Sequence, residues 1–220
     1  MSLWLFFVAG ALLSWPMQRL ILQLPADILE TSIAVPTPPH PWGLTLVNGL
    51  LWSTCAWHWP NLLTALCWSL FASTLLTLSW IDWQTTLLPD ALTQPLVWAG
   101  LLASATHTLT LPLDQAVWGA ALGYVGLWSV ARVFTLVTRK EGMGAGDFKL
   151  LAALGAWLGP MALLPLVFLA SLVGAVLGLW MQARGQLRQG VYVPFGPFLA
   201  AAGMVLALTG DAFFLDLLTR

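Results

Sequence analysis

Long apolar runs, broken only near their ends, constrain this chain more than any other feature. A bilayer span needs about 20 mostly apolar residues. The 220-residue sequence supplies such runs near 3–22, 43–58, 62–81, 92–107, 114–137, 148–159, 161–181 and 196–215, the sixth being the shortest. They predict an all-α, polytopic transmembrane protein of about eight spans, with no soluble domain and no internal repeat. Charged residues make up 8% of the chain, far below the roughly 25% of a soluble domain, so the lipid bilayer is its solvent. A net charge of −1 exerts no long-range pull on nucleic acid, and none is expected as a partner.

Cys55 and Cys67 are the two cysteines, both inside apolar stretches and not in a CxxC pair. Neither a disulfide framework nor a cysteine zinc site is encoded, and no metal is expected. His40, His58 and His107 are scattered at segment ends and read as interfacial or packing residues. The N-terminal run has no Lys or Arg before it, and its first cation, Arg19, follows it. A cleavable signal has the opposite polarity, so this run is expected to stay as the first span.

Positive charges set the orientation. With eight alternating spans, Arg19, Arg132, Arg139, Lys140, Lys149, Arg184 and Arg188 all fall on one side, leaving Arg220 on the other. The charged side is the cytoplasm, with connections near 23–42, 82–91, 138–147 and 182–195. In the first, PTPPHP cannot form helix or ladder and reads as an extended linker. The chemistry must then be done at the membrane, by inner-side residues.

The nine acids can be weighed singly. Asp114, Asp211 and Asp216 fall on the outer side, and Asp27 and Glu30 belong to the first connection. Asp82, Asp90, Glu141 and Asp147 cluster at two cytoplasmic connections. Asp90 follows Pro89 and is expected to cap the fourth span. Asp82 has no such duty and stands at a helix C-terminus, where the dipole disfavours a carboxylate. Asp147 follows Gly142, Gly144 and Gly146. It could simply cap the next helix while Lys149 snorkels to the interface. Alternatively, the glycines admit an extended peptide beside it. Two carboxylates brought together share one proton. The ionised one can activate water, and the protonated one can polarise a scissile carbonyl. Asp82 and Asp147 are the expected catalytic pair. A channel or transporter is the competing class, but none of these acids falls at mid-membrane.

The stretches SWIDWQTTLLPDALTQPL (79–96) and EGMGAGDFKLLAALGAWLG (141–159) resemble the two aspartate motifs of type IV prepilin peptidases. The second contains the GxGD signature of a wider class of membrane aspartic proteases. GYVGLWSVARVFTLVTRKEG (123–142) and VPFGPFLAAAG (193–203) resemble further stretches of the family, so the likeness covers roughly residues 76–205. It implies an endopeptidase of the bacterial inner membrane. Its partners would be the N-terminal leader and transmembrane helix of type IV prepilins or type II secretion pseudopilins, cut at the cytoplasmic face. Asp82 and Asp147 would be catalytic, with Asp90, Gly144, Gly146 and Lys149 supporting. The peptidase would need no cofactor. S-adenosylmethionine would be required only where the family's N-methylation of the mature pilin is retained.

The N-terminal third departs from that pattern, dividing the chain into 1–60 and a peptidase membrane domain, 61–220. GALLSWPMQRL stands where the family commonly has GSFLNVVxxRLP, and Pro16 lies inside the run. The first connection lacks the family's two CxxC pairs, and GLTLVNGLL carries no glutamate. Cleavage is expected to survive this and methylation to be weak or missing. A relative that binds pilin helices without cutting them is the alternative within the family.

Overall fold

The computed structural model describes residues 2–28, 40–139, 143–184 and 194–210. Among these are eight α-helices, one per expected span, and no strand. They are α1 (Leu3–Ile28), α2 (Pro41–His58), α3 (Leu62–Thr85), α4 (Asp90–Ala105), α5 (Leu113–Thr138), α6 (Ala145–Leu158), α7 (Leu163–Ala183) and α8 (Gly196–Thr209), with a 3₁₀ turn at Pro160–Ala162. Lys140, Glu141, Gly142, most of the proline-rich linker, Arg188, Asp211, Asp216 and Arg220 lie outside the described residues. The protein is an all-α, polytopic membrane protein. Helices α1, α3, α5 and α7 contain stretches long and apolar enough to cross a bilayer by themselves. The alternate helices α2, α4, α6 and α8 are shorter. At 1.5 Å per residue, the 14 residues of α6 reach well short of the roughly 30 Å hydrocarbon core.

Helix α6 is the centre of the bundle. Every residue from Asp147 to Trp157 is buried except Lys149, as expected of a helix apolar all round. It packs against α4, α5 and α8. Small residues bring the α5 and α6 backbones into contact: Gly119 meets Gly155, and a Cβ on Gly123 would lie 2.6 Å from the Leu151 carbonyl oxygen. This is the small-residue packing that membrane helices use in place of a hydrophobic driving force. Gly100 makes room for the Trp157 indole on α4, and Trp157 Nε1 donates to the Leu96 carbonyl at 2.8 Å.

Helices α1 and α2 pack on each other and against α3. Their seam is polar. Asn48 Nδ2 donates to the Gly10 carbonyl at 2.7 Å. Asn48 Oδ1 accepts from Ser73 Oγ at 2.8 Å, and Ser73 Oγ accepts from Trp52 Nε1 at 2.8 Å. All three side chains are buried.

Several boundaries differ from expectation. α1 continues through Pro16 and Pro25 to Ile28, because each proline forfeits one backbone bond without forcing an end. The last proline of PTPPHP, Pro41, opens α2 at its first position, where no N–H is needed. α3 runs to Thr85 and stops at Thr86 in the left-handed region, φ 54°. Asp82 is therefore in the last turn of the helix, its own carbonyl accepting from the Thr86 N–H at 2.8 Å. Arg19 and Arg184 fold over Trp15 and Trp180, each four residues earlier in the chain, 3.9 and 4.1 Å from the ring centroids.

Candidate active site

Three helix ends converge at one cleft of about 270 Å³. The last turn of α3 contributes Asp82, the α3–α4 turn Leu88, the start of α4 Asp90, and the start of α6 Gly144, Gly146, Asp147 and Lys149. All six residues singled out from the sequence line this cleft. Asp82 and Asp147, 65 residues apart in sequence, are 4% and 8% exposed. They are the two described carboxylates that are buried.

The environment of Asp82 explains how a carboxylate survives at a helix C-terminus. Its Oδ2 accepts a hydrogen bond from the Gly196 backbone N–H at 2.9 Å. Gly196 is the first residue of α8, so the positive end of one helix dipole offsets the negative end of the other. Sequence reasoning missed Gly196 although the surrounding VPFGPF stretch had been singled out. A glycine between a phenylalanine and a proline at a helix start was the available signal, but its partner could only come from tertiary packing.

Asp147 occupies the first turn of α6 behind Gly144, its N–H donating to the Gly144 carbonyl at 3.2 Å. It lies just ahead of the apolar run of that helix. Burial, and then the charge of Asp82, push its carboxyl up to about 7, opposed by a backbone hydrogen bond from Gly144. A carboxyl in that position retains its proton near neutral pH when its neighbour is ionised.

Three expectations need correction. Asp90 does not cap α4: Pro89 is the capping residue, and the Asp90 side chain makes no cap bond. Its carboxylate instead holds Lys149 Nζ at 2.6 and 2.7 Å. Lys149 consequently does not snorkel away but ties α6 to α4. The pair is partly exposed, at 52% and 30% for the two side chains, and forms the rim of the cleft. The two glycines also differ from the single role read for them. A Cβ on Gly146 would lie 2.7 Å from Leu88 Cβ, whereas one on Gly144 would meet only Asp147 Oδ2 at 3.9 Å. Gly146 is filled by the chain's own turn, and Gly144 alone leaves open space.

Such an arrangement suits acid–base chemistry. Two buried carboxylates in one cleft ionise singly far more readily than together, leaving one base and one acid beside a space open to water.

Comparisons with known proteins identify the family. A family model described as the type IV leader peptidase family matches residues 69–179, a segment holding both aspartates. A prepilin leader peptidase/N-methyltransferase of Stutzerimonas stutzeri is 49% identical over 167 residues, covering 76% of this chain and 57% of that protein. Proteins of the same name from Xanthomonas campestris pv. campestris and Pseudomonas aeruginosa are 52% identical over 138 residues and 48% identical over 167 residues. They are covered for 47% and 57% of their length, with 62% and 76% of this chain. The chain thus spans about half the length of these curated relatives. No solved structure matches it.

Proposed function

The chain belongs to the type IV leader peptidase family, and from that premise we propose that it is a membrane-embedded aspartic endopeptidase. Its substrates are type IV prepilins or type II secretion pseudopilins, and Asp82 and Asp147 are its catalytic pair. The observation that carries this reading is the burial of those two carboxylates in a single cleft. The singly ionised pair takes a proton from a water molecule as that water attacks the scissile carbonyl carbon. The protonated carboxyl gives its proton to the carbonyl oxygen. Collapse of the tetrahedral intermediate breaks the C–N bond: the pair gives its proton to the departing amine and takes one back from a hydroxyl of the intermediate as the new carboxyl group forms, so it ends singly protonated as it began.

The active site faces the cytoplasm of a bacterial inner membrane in this reading. Support comes from Arg132 and Arg139 near the end of α5 and Lys149 at the start of α6, cations gathered at the cleft end of the bundle. The leader would enter at the open side of Gly144, and the pilin helix would lie in the bilayer beside the bundle. Residues 1–60 form the N-terminal unit and 61–220 the peptidase domain. Asp90, Gly146 and Lys149 support the pair by fixing α4, α6 and the intervening turn. Methylation, which the relatives' name includes, would draw on S-adenosylmethionine; cleavage would not.

The test is mass analysis of a prepilin co-expressed with the chain. A product shortened by its leader supports the reading, and intact prepilin beside folded enzyme sinks it. The same spectrum reports any added methyl group.

A further inference from the structure

Helix α8 begins where it does for a reason that the aspartate motifs do not supply. Of the backbone donors at residues 196–199, Pro197 has none, and the N–H groups of Phe198 and Leu199 both go to the Phe195 carbonyl, at 3.1 and 3.2 Å. The Gly196 N–H is the donor left over from helix geometry, and it is spent on Asp82 Oδ2. No side chain fits there: a Cβ on Gly196 would lie 2.7 Å from Asp82 Oδ2 and 3.3 Å from Leu88 Cδ1. Its φ is not in the left-handed region, so close approach, not backbone conformation, is what requires glycine.

The geometry points to Gly196 as a positioning residue of the catalytic pair: its N–H fixes Asp82 through Oδ2 and leaves Oδ1 for the reaction. This inference rests on the reading of Asp82 as catalytic. It adds a third chain segment, more than 110 residues from Asp82 in sequence, to a site otherwise built from two motifs. Proline at the next position removes the neighbouring donor, so the carboxylate meets one N–H in one place. Leu88, packed against both Gly146 and Gly196, holds the starts of α6 and α8 at that spacing.

Phe195–Gly196 is the one Phe–Gly step in the sequence, which makes its amide separately observable. Labelling the full chain with carbonyl-13C phenylalanine and 15N glycine selects that single resonance in detergent micelles. Its shift is expected to move with pH in the wild type, to lose that movement in Asp82→Asn, and to keep it in Asp147→Asn. In parallel, Gly196→Ala is expected to lower kcat on the order of 100-fold, the cost of displacing a reacting group by about 1 Å, with KM little changed. The acidic limb of its rate profile should move to higher pH, because the new Cβ pushes the ionised carboxylate away from the N–H at position 196. A glycine needed only for packing would reduce the yield of folded enzyme and leave that limb in place. An amide blind to Asp82→Asn, or a folded Gly196→Ala enzyme with the wild-type kcat and pH profile, overturns the inference. If Gly196→Ala does not fold, the amide measurement decides alone. Cleavage by Asp82→Asn would instead remove the catalytic reading itself, so the two failures are distinguishable.

Discussion

Two of the polar sites buried in this apolar bundle are handled differently. Where α1 and α2 meet α3, Asn48 uses both ends of its amide, and Ser73 both donates and accepts. At the cleft, Asp82 accepts from one backbone N–H, and its burial beside Asp147 leaves the pair competing for charge. A saturated buried network rigidifies. A pair of carboxylates left short of partners keeps capacity for water and substrate. The seam and the cleft share a helix: Ser73 and Asp82 are both on α3, about 14 Å apart along its axis. One polar site holds α3 in place, and the other uses it.

The sharpest way to break this contrast is to neutralise the pair. Asp82→Asn and Asp147→Asn should each abolish leader cleavage of a co-expressed prepilin while membrane insertion and protein level persist. Because the pair acts as one unit, the double variant should be hardly worse than either single. Substantial cleavage by either single variant would return both aspartates to a packing role like that of Asn48.

A milder perturbation is pH. With the Asp147 carboxyl pushed up to about 7, the acid of the pair is protonated below that value and lost above it. Cleavage by purified enzyme should therefore fall as pH rises through about 7, while the folded fraction, followed by circular dichroism, stays level. A rate that kept climbing to pH 9 would show that Asp147 does not hold the working proton.

The seam should answer in a different currency. Asn48→Ala leaves the Gly10 carbonyl and the Ser73 hydroxyl each short of a partner, a cost of about 1–2 kcal/mol of stability. Thermal unfolding in detergent measures that loss, and kcat per folded molecule should be unchanged. A collapse of kcat in well-folded Asn48→Ala would mean that the seam and the cleft are one network.

The same contrast governs what could be read from the sequence. Apolar runs located all eight helices of the described residues, because hydrocarbon leaves few alternatives to a helix. Acids were scarce enough that Asp82 and Asp147 stood out, and both entered one cleft. What failed was partner assignment. Asp90 followed a proline at a helix start and read as a cap, but Pro89 took that position and a cation on α6 claimed the carboxylate. Asp82 read as opposed by its helix dipole, which is true of α3 alone; α8 supplies the compensation. Gly146 and Gly144 looked alike as a motif, and only packing against Leu88 separates them. Composition and local pattern specify elements, whereas the third partner of a site comes from segments whose approach no local pattern encodes.

The smallest expected effect lies at the rim, where the contrast can be refined rather than broken. Asp90 and Lys149 line the same cleft as Asp82 and Asp147, yet both remain partly exposed and satisfy each other. Solvent screens such an ion pair, and exposed pairs contribute only about 0–1 kcal/mol. Asp90→Asn should therefore keep most cleavage activity, with a change in thermal stability near the limit of detection. Charge exchange tests geometry separately from charge: Asp90→Lys places two cations together, and adding Lys149→Asp restores an opposite pair between α4 and α6. The single exchange should lower stability slightly more than Asp90→Asn, and the double exchange should recover it, because the helix ends need only be tied. If Asp90→Asn were as inactive as Asp82→Asn while folded, the rim carboxylate would belong to the chemistry. The first aspartate of the pair would then be Asp90, and the bond between Gly196 and Asp82 would be structural.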